Sequence, residues 1–125
     1  MQFNSQIFLS TGTFLAFLAV ATGAFGAHFL KTRLSIESLV VYETAVRYQM
    51  YHALALILVA FGLHFFYSPW LLTAAWCFLI GTILFSGSLY LLVFSAIRAW
   101  GMVTPIGGLF FLMGWLSFFI ASLRH

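Results

Sequence analysis

Between Met1 and Lys31 the chain carries no Asp, Glu, Lys or Arg, and the stretch from Ile7 to Ala27 is almost wholly apolar. A helix needs about 20 mostly apolar residues to cross ~30 Å of hydrocarbon at 1.5 Å per residue. This run meets that requirement, and three more follow: Thr44 to Phe66, Trp70 to Ile97 and Val103 to Leu123. The sequence therefore predicts an all-α membrane protein, a four-transmembrane-helix bundle with spans at about 7–29, 44–66, 70–97 and 103–123. The spans use most of the 125 residues, so the whole chain, 1–125, reads as a single four-span membrane domain.

Composition points the same way. Only 6% of residues are charged and 64% are hydrophobic, whereas a soluble domain carries about 25% charged residues. That balance excludes a soluble globular domain and a disordered chain. A net charge of +3 on so few ionised groups makes no basic patch, so nucleic acid is excluded as a partner. The first run lacks a basic leading segment and is longer than the ~7–15 apolar residues of a signal peptide; it reads as a span. Cys77 lies inside the third span and has no second cysteine to pair with.

Helix ends are marked by capping residues. Ser68-Pro69 and Thr104-Pro105 each place a hydroxyl residue before a proline, the favoured start of a helix. Ser35 caps a helix whose first turn holds Glu37, with Leu34 and Leu39 spaced as a hydrophobic staple. No Gly or Pro occurs between Ile36 and Phe61, so helix 2 is predicted to run from about Ile36 to Phe66, extended at its cytoplasmic end. A separate interfacial helix ending near Tyr42 is the alternative. Orientation follows the distribution of Lys and Arg. Lys31, Arg33, Arg47 and Arg98 fall on one side and Arg124 alone on the other. The 1–2 and 3–4 loops are therefore expected in the cytoplasm and both termini outside it.

Association within lipid depends on close packing and hydrogen bonds. Small residues recur every seven positions: Gly12, Ala19, Gly26; Ala74, Gly81, Ser88; Gly107, Gly114, Ala121. That period keeps one face toward a neighbour. Ala19, Gly23 and Ala27 form a further small-residue ridge. Gly12, Ala19, Gly23, Gly26, Gly81, Gly107 and Gly114 are the expected packing positions, and the ridges make self-association an expectation. Tyr67 and Trp70 at one surface, and Tyr42 and Trp100 at the other, fit interfacial aromatic belts. The sixteen Phe read as lipid-facing and core bulk.

Polarity gathers toward the basic end: His28 on helix 1; Glu43, Arg47, Tyr48, Gln49 and His52 on helix 2; Ser86, Ser88 and Tyr90 on helix 3; Thr104 on helix 4. These are the candidate binding residues, and helical rise would let His52 and Ser86 meet at one level. Glu43 and Arg47 are spaced as an i, i+4 pair, as are Tyr48 and His52, where a hydroxyl–imidazole contact is expected. Ionisable groups at membrane depth cost at least ~2.5–3.5 kcal/mol on insertion scales. They read either as a small pocket for a headgroup, anion or metabolite, or as a snorkelling pair with His52 hydrogen-bonded in the core. Arg98 reads as an interfacial anchor.

Metal and cofactor readings find no support. His52 and His64 are separated by ~18 Å along one helix, too far to share an ion. No H-E-x-x-H, cysteine pair or carboxylate pair is present. Neither metal nor cofactor is expected. Catalytic residues are not identified; Ser86 or Ser88 with His52 is the only nucleophilic arrangement worth testing.

Four segments, Thr22-Gly-Ala-Phe-Gly-Ala-His28, Glu43-Thr-Ala-Val-Arg-Tyr-Gln-Met-Tyr-His-Ala-Leu-Ala55, Leu84-Phe-Ser-Gly-Ser-Leu-Tyr90 and Thr104-Pro-Ile-Gly-Gly108, touch all four spans. In these the chain resembles the domain of unknown function 423 family, the YgdD-like inner-membrane proteins and the transmembrane protein 256 family. The resemblance implies a small four-span protein of the bacterial inner membrane and transfers no activity. The expected function is that of a non-catalytic protein binding membrane lipid or another membrane protein through the polar cluster. The alternative is a subunit of an oligomeric small-solute or ion transporter or channel.

Overall fold

A computed structural model describes the backbone of residues 2–124 and the side chains from Asn4 to Arg124. Every regular element among them is helical: α1 (Gln2–His28), α2 (Ile36–Phe65), α3 (Pro69–Ser95) and α4 (Thr104–Leu123), with short 3-10 turns at Leu30–Thr32 and Arg98–Met102. All four long helices are apolar enough to span a bilayer, the fourth counted from Arg98. The capping chemistry explains two of the starts. Ser35 Oγ accepts from the Ser38 amide at 3.1 Å and Ser68 Oγ from the Leu71 amide at 3.4 Å. Thr104 does not cap: it is the first residue of α4, and its hydroxyl contacts Ser88 at 2.6 Å instead. α2 is one uninterrupted helix of 30 residues, about 45 Å long, and so projects well beyond the hydrocarbon thickness.

α1 packs on α2, α2 on α3 and α3 on α4, in chain order. α2 and α3 form the middle of the bundle, with α1 and α4 on its flanks and more exposed. The pairing runs antiparallel. Gly12 lies against Ile57, Gly23 against Val46 and Gly26 against Tyr42; Gly81 lies against Phe111 and Gly114 against Phe78. One end of the bundle thus carries Lys31, Arg33 and Arg98 on its two connections, and the other the 2–3 turn.

All nine residues of the seven-residue small series are buried. Glycine is needed where backbones touch. A Cβ on Gly107 would lie 2.5 Å from the Phe85 amide nitrogen and 2.8 Å from its Cα. On Gly12 it would lie 3.1 Å from the Ala53 carbonyl oxygen. The ridge of Ala19, Gly23 and Ala27 divides: Ala19 is buried, but Ala27 is exposed. Apolar side chains fill the space between helices, with Phe8, Leu56, Val59, Leu71, Phe78 and Phe111 all nearly inaccessible. α3 ends at Ala96, a non-glycine residue held at φ 59°, the left-handed conformation that terminates helices and favours glycine.

Candidate functional site

The α2 sequence places polar and apolar residues on two stripes. Tyr42, Ala45, Gln49, His52, Leu56, Val59 and Leu63 alternate three and four apart and are all buried. Glu43, Arg47, Tyr51, Leu54 and Leu58 form the neighbouring stripe and are exposed. The polar residues near the basic end share a depth but not a direction.

On the buried stripe, each polar side chain joins α2 to another helix. Gln49 donates through Nε2 to the Leu15 carbonyl on α1 at 2.9 Å and accepts through Oε1 from the Tyr90 hydroxyl on α3 at 2.7 Å. One side chain thereby binds three helices. The Tyr42 hydroxyl donates to the Thr22 carbonyl of α1, and Thr22 Oγ1 lies 3.5 Å from the Tyr90 hydroxyl. Ser86 donates to the Ala45 carbonyl at 2.7 Å, closing α3 onto α2. Ser88 and Thr104 hydroxyls, 2.6 Å apart, close α3 onto α4.

His52 completes the set. Trp115 Nε1 on α4 lies 3.1 Å from His52 Nε2. An indole N–H only donates, so Nε2 carries the lone pair. Nδ1 must then hold the proton, and it faces the Tyr48 carbonyl at 2.7 Å, which only accepts. The two partners assign a neutral, Nδ1-protonated tautomer by their bonding capacity. The ring stacks on Phe111, with centroids 3.5 Å apart and planes 7° from parallel. Among the described residues, no buried side-chain nitrogen or oxygen lacks a hydrogen-bond partner. Other hydroxyls in the spans return to their own helix, among them Thr44 to Val40 and Thr82 to Phe78.

The sequence expectations are corrected on several points. The Tyr48–His52 contact runs through the Tyr48 carbonyl, because the imidazole reaches back one helical turn to it. The Ser86 hydroxyl is spent on Ala45, and His52 Nε2 on Trp115, so no serine–histidine pair is assembled. Tyr42 is no interfacial belt residue: it is 2% exposed and packs edge-on against Tyr90. Glu43 and Arg47 approach to 3.8 Å, but their side chains are 53% and 66% exposed, so this is a surface pair. His28 is exposed at the end of α1. Thr22 and Trp115 are network members that the sequence reading passed over. Each is a hydrogen-bonding group deep in an apolar helix, which was the available signal.

Among the described residues, the open grooves on the outer surface include three beside the helices. One, of about 190 Å³, is lined by Gly23, Gly26 and Ala27 of α1 and Tyr42, Glu43, Val46 and Arg47 of α2. A second, of about 570 Å³, lies at the opposite end of the same helix pair around Ala60 and His64. A third, of about 290 Å³, runs beside Gly87 and Trp100 and is nearly all apolar. Gln49, His52 and Ser86 line none of the three. Of the candidate residues, Glu43 and Arg47 flank the first groove together, and Gln49, His52, Ser86, Ser88, Tyr90 and Thr104 belong to the interior network.

Comparison with known proteins places the chain in a family. Residues 22–108 match the family described as protein of unknown function (DUF423). A UPF0382 membrane protein of Staphylococcus aureus is 43% identical over 121 residues, covering 95% of this chain and 97% of its own length. The UPF0382 membrane protein YwdK of Bacillus subtilis is 41% identical, covering 96% and 98%. The UPF0382 inner membrane protein YgdD of Escherichia coli is 37% identical, covering 97% and 92%. No solved structure matches the chain. With four apolar spans and a match that includes the helix 2 polar segment, this chain belongs to the DUF423 family of integral membrane proteins.

Proposed function

We propose that the protein is a non-catalytic component of the bacterial inner membrane that binds phospholipid headgroups in the cytoplasmic leaflet, at the α1–α2 groove beside Arg47. The carrying observation is the division of the polar residues: among the described residues the buried ones all have hydrogen-bond partners within the protein, whereas Arg47 lies exposed on the rim of a groove. Its depth suits the role. Arg47 is eighteen residues from Phe65, so about 27 Å along α2 from the far end of the span. Against ~30 Å of hydrocarbon, that puts the guanidinium at the headgroup boundary. Lys31 and Arg33, exposed at the same end, would add attraction to a leaflet surface. The excess of Lys and Arg at this end supports a cytoplasmic assignment for it, with both termini outside. The tight packing of Leu56, Phe78 and Phe111 argues against a solute path within one copy.

The test is retention of phospholipid by the purified protein, counted by native mass spectrometry. Wild-type protein should keep at least one phospholipid after delipidation, and Arg47→Ala should lose it while Arg98→Ala keeps it. Equal retention by wild type and Arg47→Ala would remove the groove from the account.

A further inference from the structure

We propose that the α1–α2 groove takes a phosphodiester headgroup bearing a free ammonium, of which phosphoethanolamine is the simplest. This rests on the lipid-binding reading above and adds the chemical identity of the head.

Two opposite charges line a groove of about 190 Å³. Their nearest atoms, Arg47 Nη2 and Glu43 Oε2, are 3.8 Å apart, beyond a hydrogen bond. Each therefore keeps bonding capacity toward a ligand. A guanidinium only donates and a carboxylate only accepts. A ligand that satisfies both must present acceptor oxygens and a hydrogen-bond donor within the span of one short ion pair, and a cationic N–H donor makes the stronger, charge-assisted bond to the carboxylate. A phosphate joined through two carbons to an ammonium does so. The phosphate would take the guanidinium, in the charge-assisted geometry arginine favours, and the ammonium would donate to Glu43. A glycerol head brings a phosphate and neutral hydroxyl donors, but no cation for the carboxylate. A choline head brings a cation without an N–H.

The walls fit a small head. α1 contributes only Gly23, Gly26 and the small Ala27 to the lining, and the glycines let α2 pack close beneath it: a Cβ on Gly23 would lie 3.3 Å from Val46, and one on Gly26 would collide with the Tyr42 ring. The Tyr42 hydroxyl donates to the Thr22 carbonyl and so does not compete for the head. Glu37, the other carboxylate of the chain, precedes Glu43 by nearly two turns and does not line the groove.

The experiment uses the full chain, delipidated and offered phosphatidylethanolamine, phosphatidylglycerol or phosphatidylcholine with identical acyl chains, with bound lipid counted by native mass spectrometry. Phosphatidylethanolamine should be retained about tenfold over phosphatidylcholine, the ratio one charge-assisted hydrogen bond supplies. Glu43→Ala should erase that preference while phospholipid still binds, and Arg47→Gln should weaken every phospholipid. Thermal unfolding of both variants confirms that the bundle is intact. Equal retention of the ethanolamine and choline lipids, or a preference that survives Glu43→Ala, overturns the head assignment while leaving Arg47-dependent lipid binding in place. Retention independent of Arg47 for all three lipids overturns both. Displacement of the lipid by an equal concentration of free phosphoethanolamine would make the ligand a soluble metabolite and overturn the lipid as its source.

Discussion

Replacing Gln49 with leucine tests whether the interior polar residues hold the helices together. Leucine is close in size and keeps the buried position apolar, so packing changes little. The variant loses the 2.9 Å bond to the Leu15 carbonyl and the 2.7 Å bond from the Tyr90 hydroxyl. Interhelical hydrogen bonds in a membrane average about 0.6 kcal/mol each and reach about 1.7. The Leu15 carbonyl sits mid-helix in α1, and the Tyr90 hydroxyl still has Thr22 Oγ1 at 3.5 Å. Neither partner is stranded, so the expected loss is about 1–3 kcal/mol. Reversible unfolding in bicelles reads this directly. A double-mutant cycle with Tyr90→Phe should give a coupling of about 0.6–1.7 kcal/mol. His64→Ala, at an exposed position of α2, should stay within about 0.5 kcal/mol. A Gln49→Leu variant as stable as wild type, or a cycle without coupling, would refute the reasoning.

Other substitutions probe separate parts of the packing. Gly107→Ala drives a methyl group into the Phe85 backbone and should cost about 1–3 kcal/mol, whereas Gly87→Ala, with nothing within 4 Å, should be neutral or stabilising by about 0.5–1 kcal/mol; both are read by the same unfolding assay. Ala96→Gly relieves the left-handed φ of 59° at the α3 terminus and should raise stability by about 1 kcal/mol. Trp115→Phe leaves His52 Nε2 without its donor and should cost about 1–3 kcal/mol, with the Nε2 shift moving while Nδ1 stays protonated against the Tyr48 carbonyl. Glu43→Gln combined with Arg47→Gln should change stability by less than about 0.5 kcal/mol because the pair is exposed.

What was legible in the sequence is what depends on neighbours along the chain. Apolar run length located all four helices, Ser35 and Ser68 marked two helix starts, and the seven-residue spacing of Gly12, Ala19 and Gly26 picked out the buried face of α1. Distribution along the axis also located the polar residues in depth. Direction around the axis was misjudged. Glu43 and Gln49 were grouped by depth, yet they lie on different stripes of α2, and the alternation of Tyr42, Ala45, Gln49, His52 and Leu56 already separated them. Contacts that need a second helix were beyond reach. Thr104 has the sequence of a cap, but Ser88 on α3 offers its hydroxyl a nearer partner. Trp115 gave no hint of His52, 63 residues away.

The account's central division is between an interior whose polar groups serve the helices and a groove whose charges face lipid. Distance-dependent dephasing of side-chain nitrogen signals by lipid phosphorus, measured by solid-state magnetic resonance in bilayers containing phosphatidylethanolamine, tests both halves at once. The account predicts that the Arg47 guanidinium nitrogens are dephased while Gln49 Nε2 and both His52 nitrogens are not. Dephasing at Gln49 or His52, or none at Arg47, would contradict it.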